Sequence, residues 1–296
     1  MPILAGLLCS PARPSRSTAW DMVPCSLPAK MSGDPPRDID AAVAVLREAV
    51  AVGINHIDTS DFYGPHVTNQ IIRQALYPYP DGLTIVTKVG FRRPEDKSWQ
   101  IARSKEELTS GVHDNLRNLG LEILDVVNLR AGAPHGPNEE SIVEPLGVLV
   151  DLQHQGLIRH LGLSNITRQQ FEEARALAEI VCVQNQYNLA HRTDDALIDE
   201  LARKNIAFTP FFPLGGFTPL QSDALATAAN SLEATPMQVA LAWLLQRSPN
   251  ILLICGTSSV EHLRENLKAA SLRLPSETVA KLNAIGTNKG SSGSDS

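Results

Sequence analysis

The sequence predicts a (β/α)8 barrel, an α/β fold, from three observations. Segments with the character of strands alternate strictly with helical segments along most of the chain, as in a parallel sheet. The chain has 296 residues and 43% of them are hydrophobic, which suffices for one large core and matches the ~250 residues of such a barrel. Polar residues follow several predicted strands, at the end of the barrel where enzymes of this fold carry their active sites.

Seven strands are predicted where a barrel needs eight. The predicted strands are the first half of residues 54–64, then residues 83–89, 124–129, 158–164, 180–185, 206–211 and 251–254. Helices are predicted over residues 67–76, 105–118, 139–155, 168–178, 194–204, 236–246 and 259–269, with an extra helix over 275–285. The barrel strand for which no segment is recognised is the first one, which should lie before residue 37.

One barrel domain is predicted over residues 37–286. Residues 1–36 have scattered prolines and cysteines and neither strand nor helix periodicity, so they are predicted to be disordered or frame-shifted. Residues 287–296 are rich in glycine and serine and predict a disordered tail.

Charge and composition exclude two classes of function. A net charge of −6 leaves no basic face for nucleic acid, and no apolar run approaches the ~18–20 residues of a membrane span. The four cysteines show neither the spacing of metal ligands nor that of a disulfide framework. The sequence therefore predicts a protein of the reducing cytoplasm with a small-molecule partner, and it leaves the oligomeric state open.

A carboxylate, a phenol and an ammonium follow the first two predicted strands. Asp58 and Tyr63 lie at the end of the strand that starts at Ile54, and Lys88 lies at the end of the next strand. A phenol has an unperturbed pKa near ~10 and exchanges protons poorly at neutral pH unless a cation lies beside it. Lys88 is that cation if the two strands are neighbours, and Asp58 can then hold it charged.

The residues Asp58-Thr59, Tyr63-Gly64 and Lys88 resemble the aldo-keto reductase family, over about residues 38–285. The resemblance implies a barrel enzyme that reduces the carbonyl group of a small molecule with NADPH. In that reaction Tyr63 protonates the developing alkoxide, while Lys88 and Asp58 tune Tyr63.

Three polar side chains able to bind a carboxamide end two adjacent predicted strands, Ser164 and Asn165 on one and Gln184 on the next. In the family's pattern, matching residues hold the amide of the nicotinamide. Phe211 matches the aromatic residue that stacks on the nicotinamide, and Leu214 in the following loop is assigned to the same cofactor site.

Small residues follow the last predicted strand at the start of a helix, where free backbone N–H groups suit a phosphate. The resemblance assigns the adenosine-phosphate site to Gly256, Thr257, Ser258, His262, Glu265 and Asn266. Proline is usual where this chain has Cys255, and arginine is often found at the position of His262. NADPH is therefore favoured over NADH, with His262 or Arg264 as the partner of the 2′-phosphate.

The fourth catalytic position departs from the family's pattern. The family places a histidine five residues after an aspartate on the fourth strand, whereas here Asp125 leads to Arg130. Arginine does not give up its proton, so Arg130 would polarise a substrate oxygen or bind a phenolate. The alternative is that Arg130 only pairs with an acid at the barrel mouth. His135, in the loop that follows, is a second candidate.

Residues 61–69, 128–130 and 213–217 are similar to a bacterial branch of the family associated with the reduction of pyridoxal to pyridoxine. Pyridoxal has a phenolate that Arg130 could contact. Two alternatives stay open. One is a general reductase of aldehydes and ketones, which would differ only in its loops, and the other, from a different class, is a nucleotide-sensing regulatory subunit.

The codons of residues 1–36 offer a specific explanation for the absent first strand. Trp and Met have one codon each, so the run Trp20-Asp21-Met22-Val23, read from the third base of each codon, gives Gly, then Tyr or His, then Gly. In this shifted frame, permissible codons from Ala19 to Pro36 spell LGYGAMQLAGKDVWGPP, which looks like the family's first barrel strand. The frame rejoins at Pro35-Pro36, where a run of C is a natural place for a one-base slip. We therefore predict a frame error near these codons.

Overall fold

A computed structural model of the chain describes residues 20–22, 38–64, 66–94, 96, 98–133, 136–215 and 222–286, with only the backbone described for the first three. The strands are β1 (Trp20–Met22), β2 (His56–Asp58), β3 (Thr84–Val89), β4 (Phe91–Arg92), β5 (Gln100–Ile101), β6 (Leu124–Arg130), β7 (Ile158–Ser164), β8 (Ile180–Gln186), β9 (Ala207–Phe211) and β10 (Leu253–Ile254). Eight of them form one sheet in the order β10-β1-β2-β3-β6-β7-β8-β9, and every neighbouring pair is parallel. The two short strands β4 and β5 form a separate antiparallel pair.

The sheet closes on itself between β9 and the residues that lead into β10. Phe208 accepts a hydrogen bond from the backbone N–H of Leu252 at 2.9 Å and donates its own N–H to Asn250 at 2.8 Å. A closed ring of parallel strands has no open edge, so the predicted (β/α)8 barrel is confirmed.

The place of the first strand in this ring is occupied by β1. Trp20 pairs with Leu253 of β10, and Met22 pairs with Ile57 of β2. The position is therefore filled by three residues from within the predicted aberrant segment. The other residues of 1–36 and the predicted tail at 287–296 lie outside the described residues, so disorder and a frame error stay predictions there.

Ten α-helices are described between and after the strands, and a short 3₁₀ turn, Ala284–Gly286, follows the last of them. They are Ile39–Ala51, Val67–Leu76, Lys105–Leu119, Val143–His154, Arg168–Leu177, Asp195–Arg203, Asp223–Ser231, Pro236–Arg247, Val260–Lys268 and Ser276–Asn283. Several begin at a capping box, in which a Ser or Thr and the Glu or Gln three residues later satisfy each other's backbone N–H groups. Ser104 with Glu107 and Thr235 with Gln238 are examples. No helix within the described ranges is long and apolar enough to span a lipid bilayer.

The helix predicted from residue 139 begins only at Val143, so that boundary was wrong. The preceding residues bond to the next helix instead of forming a first turn. Gln170 donates to the carbonyl of Glu140 at 2.6 Å, and Glu173 accepts from the hydroxyl of Ser141 at 3.2 Å. Two further helices, Ile39–Ala51 and Asp223–Ser231, were not predicted.

Successive side chains along each strand point alternately into the barrel and outward to the layer of helices. One continuous apolar cluster between sheet and helices contains Leu46, Leu108, Phe171 and Trp243 among its buried members. A second, small cluster of Val86, Val126, Val181, Cys182 and Ala207 comes from four strands and lies inside the barrel. Continuing the same alternation toward the carboxyl ends of the strands brings polar side chains into the barrel mouth.

Candidate active site

Neighbouring strands bring the predicted polar residues to one end of the barrel. In the register of the sheet, Lys88 lies opposite Asn128, and Arg130 lies opposite Ser164. Ser164 in turn lies opposite Gln184. These positions are at the carboxyl ends of β3, β6, β7 and β8, which is the end of a barrel where catalytic residues are found.

Asp58 and Lys88 form a buried ion pair at the ends of β2 and β3. The Nζ of Lys88 lies 2.5 Å from Oδ1 of Asp58, and each side chain is only 1% exposed. Burial by itself lowers the pKa of Lys88, but the carboxylate of Asp58, together with the phenolate form of Tyr63, outweighs it and the pKa is raised. Lys88 is therefore a permanent cation at neutral pH, as the sequence predicts.

Tyr63 lies beside this cation on the loop after β2. The Nζ of Lys88 is 5.4 Å from the centre of the Tyr63 ring. The loop is held in place because the backbone N–H of Tyr63 donates to the carbonyl of Ser60 at 3.1 Å, and the hydroxyl of Ser60 donates to the carbonyl of Lys88 at 3.1 Å. A cation beside a phenol stabilises its phenolate form, so the three predicted catalytic residues are brought together in the predicted way.

Gln184 connects the ion pair to β7. Its Nε2 donates to Oδ2 of Asp58 at 3.0 Å, and its Oε1 accepts from the hydroxyl of Ser164 at 3.4 Å. Both oxygens of Asp58 are thus bonded, one to Lys88 and one to Gln184. Ser164 and Gln184 lie side by side, as the sequence predicts for a carboxamide site.

Asn165 has a structural role that the sequence did not indicate. Its Nδ2 donates to the carbonyl of Ala133 at 2.8 Å and to that of Gly136 at 2.9 Å, which anchors the loop after β6. Both of its N–H groups are used in this way. Only its side-chain oxygen is left for a carboxamide.

Arg130 ends β6 between two aromatic rings. Its guanidinium carbon lies 5.2 Å from the centre of the Phe91 ring and 5.9 Å from that of Phe211. Burial lowers the pKa of Arg130, and the nearby positive charge of Arg103 adds to this, while the charge of Tyr63 acts in the opposite direction. Arg130 therefore shares the site with Tyr63. His135, the other candidate, lies outside the described residues.

The hairpin of β4 and β5 contributes an aromatic wall next to Tyr63. Phe62 packs against the Tyr63 ring at 5.3 Å and against the Trp99 ring at 5.4 Å between centroids. Phe91 of the hairpin lies 6.1 Å from Trp99. The sequence indicated only a loop here, because a two-residue strand has too little alternation to be recognised.

His56 is a further residue of the barrel interior that the sequence analysis missed. It lies two residues before Asp58 on β2 and therefore on the same face of the strand. Burial, together with the charge of Lys88, lowers its pKa to about 3, so the imidazole is neutral at physiological pH. The period-two spacing of His56 and Asp58 was a signal that could have revealed it.

The predicted phosphate loop follows β10 at the same end of the barrel. The hydroxyl of Thr257 accepts from the backbone N–H of Ser259 at 3.2 Å, and Ser259 caps the helix Val260–Lys268. Asn266 is buried on this helix and His262 is exposed near its start. Arg264 pairs with Glu48 at 2.8 Å.

The remaining residues predicted to bind the cofactor, in this loop and after β9, are half-buried. They are Gly256, Ser258, Glu265, Phe211 and Leu214.

Comparison with known proteins defines the class of this site. Residues 30–287 match the model of the aldo/keto reductase family. The chain belongs to that family and is an oxidoreductase.

Relatives and solved structures extend the comparison. The chain is 68% identical over 253 residues to pyridoxine 4-dehydrogenase of Escherichia coli strain K12, which covers 85% of this chain and 88% of that protein. It is 28% identical to the crystal structure of the thermostable aldo-keto reductase Tm1743, with a TM-score of 0.75 over 91% of this chain and 94% of that one. An aldo-keto reductase from Klebsiella pneumoniae crystallised with NADPH is 23% identical, with a TM-score of 0.72 over 90% and 89% of the two chains, and shows the same fold.

Proposed function

We propose that the protein is an NADPH-dependent reductase that converts pyridoxal to pyridoxine. The observation that carries this proposal is the buried ion pair of Lys88 with Asp58 beside the phenol of Tyr63. The identity with the Escherichia coli pyridoxine 4-dehydrogenase supports the choice of substrate.

The residues present fit a nicotinamide dinucleotide. A hydroxyl on Ser164 and an amide on Gln184 are buried at adjacent strand ends, and they offer donors and acceptors that match a carboxamide. Phe211 offers a half-buried aromatic face at the end of β9. The start of the helix Val260–Lys268 suits a phosphate, and His262 and Arg264 on it supply the means to prefer the 2′-phosphate of NADPH.

During reduction, side chains of the protein supply a proton to the substrate oxygen and stabilise the group that has lost it. The bound cofactor supplies a hydride for the aldehyde carbon. Tyr63 donates its proton to the oxygen, which would otherwise become an alkoxide, and Lys88 stabilises the phenolate that remains on Tyr63. Asp58 holds Lys88 in position and charged, and Gln184 fixes the second oxygen of Asp58.

Removal of the Tyr63 hydroxyl tests this assignment. Tyr63→Phe should lower the rate of pyridoxal reduction about 100-fold or more, because general acid catalysis is typically worth ~10²–10⁴-fold. NADPH binding, measured by fluorescence titration of the same sample, should stay nearly unchanged, since only one oxygen is lost. The exposed Tyr77 provides a matched control, and Tyr77→Phe should keep the wild-type rate. A Tyr63→Phe enzyme that retains more than about a tenth of the rate would contradict the role of Tyr63.

A general reductase of aldehydes would use the same catalytic residues. Rates of NADPH oxidation with pyridoxal and with benzaldehyde distinguish the two functions. The proposal expects a clear preference for pyridoxal in kcat/KM, and equal values would favour the general reductase.

A further inference from the structure

Arg130 is a partly buried cation without an acidic partner in the described part of the chain. Its Nε is buried and has no hydrogen-bond partner there. The titratable groups that interact electrostatically with Arg130 are Tyr63, Arg103 and Lys88, and no carboxylate is among them. The alternative in which Arg130 pairs with an acid at the barrel mouth therefore finds no support among these residues.

Arg103 adds a second positive charge beside Arg130. Its side chain is 11% exposed, and it packs with its guanidinium carbon 5.8 Å from the centre of the Phe91 ring. Both terminal nitrogens of the guanidinium donate, Nη2 to the carbonyl of Gly132 at 2.8 Å and Nη1 to Glu140 at 3.3 Å. Glu140 is mostly exposed, so its charge is screened by solvent. The two arginines, both packed on Phe91, together with this one screened carboxylate thus keep the region positively charged.

Burying an arginine costs free energy unless an anion or hydrogen bonds compensate the charge. The residues around Arg130 indicate where an anion that pairs with it binds. Phe91 and Phe211 cover two sides of its guanidinium, and Phe62 lies between Phe91 and Tyr63, with ring centroids 6.4 Å and 5.3 Å from theirs. An anion that pairs with Arg130 therefore lies close to the oxygen that Tyr63 protonates.

We propose that Arg130, supported by Arg103, binds an anionic oxygen on the carbon next to the one that bears the aldehyde, and so determines substrate specificity. This inference rests on the proposed function. When the aldehyde oxygen is bound at Tyr63, an oxygen on the neighbouring ring carbon is only a few bonds from the aldehyde oxygen. It therefore lies on the side of the site where Arg130 is found. The preferred substrates are then planar aromatic aldehydes with an ortho phenolate, of which pyridoxal is one.

The chemistry of arginine suits this task better than that of histidine. Guanidinium remains charged at all working pH values and can direct N–H groups from two of its nitrogens to one anionic oxygen. A neutral imidazole in the same place would polarise any carbonyl oxygen without preference for an anionic neighbour. The difference predicts that substrate choice, rather than the proton transfer itself, depends on Arg130.

Two aldehydes that differ in one hydroxyl group test the inference. Pyridine-4-carbaldehyde lacks the phenol, and 3-hydroxypyridine-4-carbaldehyde carries it next to the aldehyde. The wild type should prefer the hydroxylated aldehyde, and Arg130→Gln should reduce that preference in kcat/KM about 10–100-fold, the range expected for a hydrogen bond to a charged group. The loss should fall mainly on KM, since the phenolate is bound equally in the ground and transition states.

Matched variants separate charge from structure. Arg130→Lys should retain part of the preference because it keeps the positive charge. Arg159→Gln is the control, because Arg159 lies at the opposite end of β7 and is mostly exposed. It should leave the preference as in the wild type. If Arg130→Gln lowers kcat/KM equally for both aldehydes, the inference is overturned.

A binding measurement keeps the test independent of turnover and of misfolding. Calorimetric titration with 3-hydroxypyridine and with pyridine, in the presence of NADP⁺, should show a preference for the hydroxylated ring in the wild type that Arg130→Gln loses. Circular dichroism and thermal unfolding confirm that each variant is folded. If the wild type does not reduce pyridoxal, the proposed function fails, and the binding preference still decides the role of Arg130. An unchanged binding preference in folded Arg130→Gln overturns the inference alone.

Discussion

His56 illustrates how a single buried residue couples the stability of this barrel to pH. Its pKa is lowered to about 3 in the folded protein because it is buried and lies near the charge of Lys88. In the unfolded chain a histidine has a pKa near ~6.5. As the pH falls below ~6.5, the unfolded chain takes up a proton that the folded protein does not, so folding stability decreases with acidification.

Replacement of His56 should therefore reduce the acid sensitivity of the fold. Between pH 7 and pH 5 this one group costs the wild type about 2 kcal/mol of unfolding free energy. His56→Gln should remove that loss, because glutamine does not titrate. Urea unfolding at the two pH values measures the difference.

The exposed His113 supplies the control for this experiment. His113→Gln should keep the pH dependence of the wild type, since the side chain of His113 is exposed on a helix away from the barrel interior. An unchanged pH dependence in His56→Gln would show that His56 is protonated in the folded protein, against the present assignment.

A buried amide network joins two helices to the strand ends that carry Asp58 and Lys88, two of the proposed catalytic residues. Asn115, fully buried on the helix Lys105–Leu119, accepts from Nδ2 of Asn69 at 2.8 Å and from the hydroxyl of Thr87 at 2.5 Å. Asn69 accepts from the hydroxyl of Thr59 at 2.8 Å. Thr59 and Thr87 are the direct neighbours of Asp58 and Lys88, so the network positions the ion pair from the helical side.

Truncation of Asn115 should destabilise the barrel. Asn115→Ala removes the acceptor of Thr87 and of one Asn69 N–H, and a buried polar group without a partner costs about 1–3 kcal/mol. The free energy of unfolding should fall by at least that amount, and the catalytic rate should also decrease as Lys88 loses its support. Chemical denaturation and the NADPH assay are the two measurements.

The exposed Gln74 on the helix Val67–Leu76 serves as the comparison for this truncation. Gln74→Ala should change the stability by no more than about 0.5 kcal/mol, as is usual for surface positions. Equal stabilities of the two variants would mean that the Asn115 network does not hold the strand ends.

At the scale of the whole molecule, ring closure depends on the first strand. β1 joins β10 to β2 through the three residues Trp20–Met22. Read in the shifted frame, the codons of Trp20-Asp21-Met22-Val23 give Gly, then Tyr or His, then Gly. The family match begins at residue 30, close to the point where the two frames rejoin. The pairing of Trp20–Met22 argues that the written sequence fills the gap, whereas the start of the family match fits an altered segment before it, so a one-base frame error near Pro35-Pro36 stays a prediction.

A chain with the shifted-frame segment restored should be more stable and more active than the chain as given. The first strand of the chain as given has only three residues, whereas the restored segment supplies a longer apolar strand that can pair with β10 and β2 over more of its length. Thermal unfolding and the rate of pyridoxal reduction compare the two chains. Resequencing the DNA is decisive, because bases upstream of Pro35 that do not read Gly-Tyr-Gly or Gly-His-Gly in the shifted frame would refute the frame error.

The sequence alone determined the fold class, the boundaries of most of the predicted elements to within one residue, and the members of the proposed catalytic cluster. The helix over residues 67–76 and the strand over residues 158–164 were predicted to the residue. These predictions succeed because hydrophobic periodicity, helix caps and the placement of polar residues after strands are local properties of the chain. The positions of Asp58, Tyr63 and Lys88 follow from that local pattern once neighbouring strands are parallel.

Only the tertiary structure decided which of these residues touch. It showed that Gln184 bonds to Asp58, that Asn165 anchors a loop, and that Arg103 acts on Arg130. Such contacts join residues far apart in the chain, and their energies depend on burial and on distances of a few ångströms. Hydrophobic periodicity specifies which side of a strand faces inward, but the closure of the ring specifies which side chains meet there and which of their charges remain without a partner.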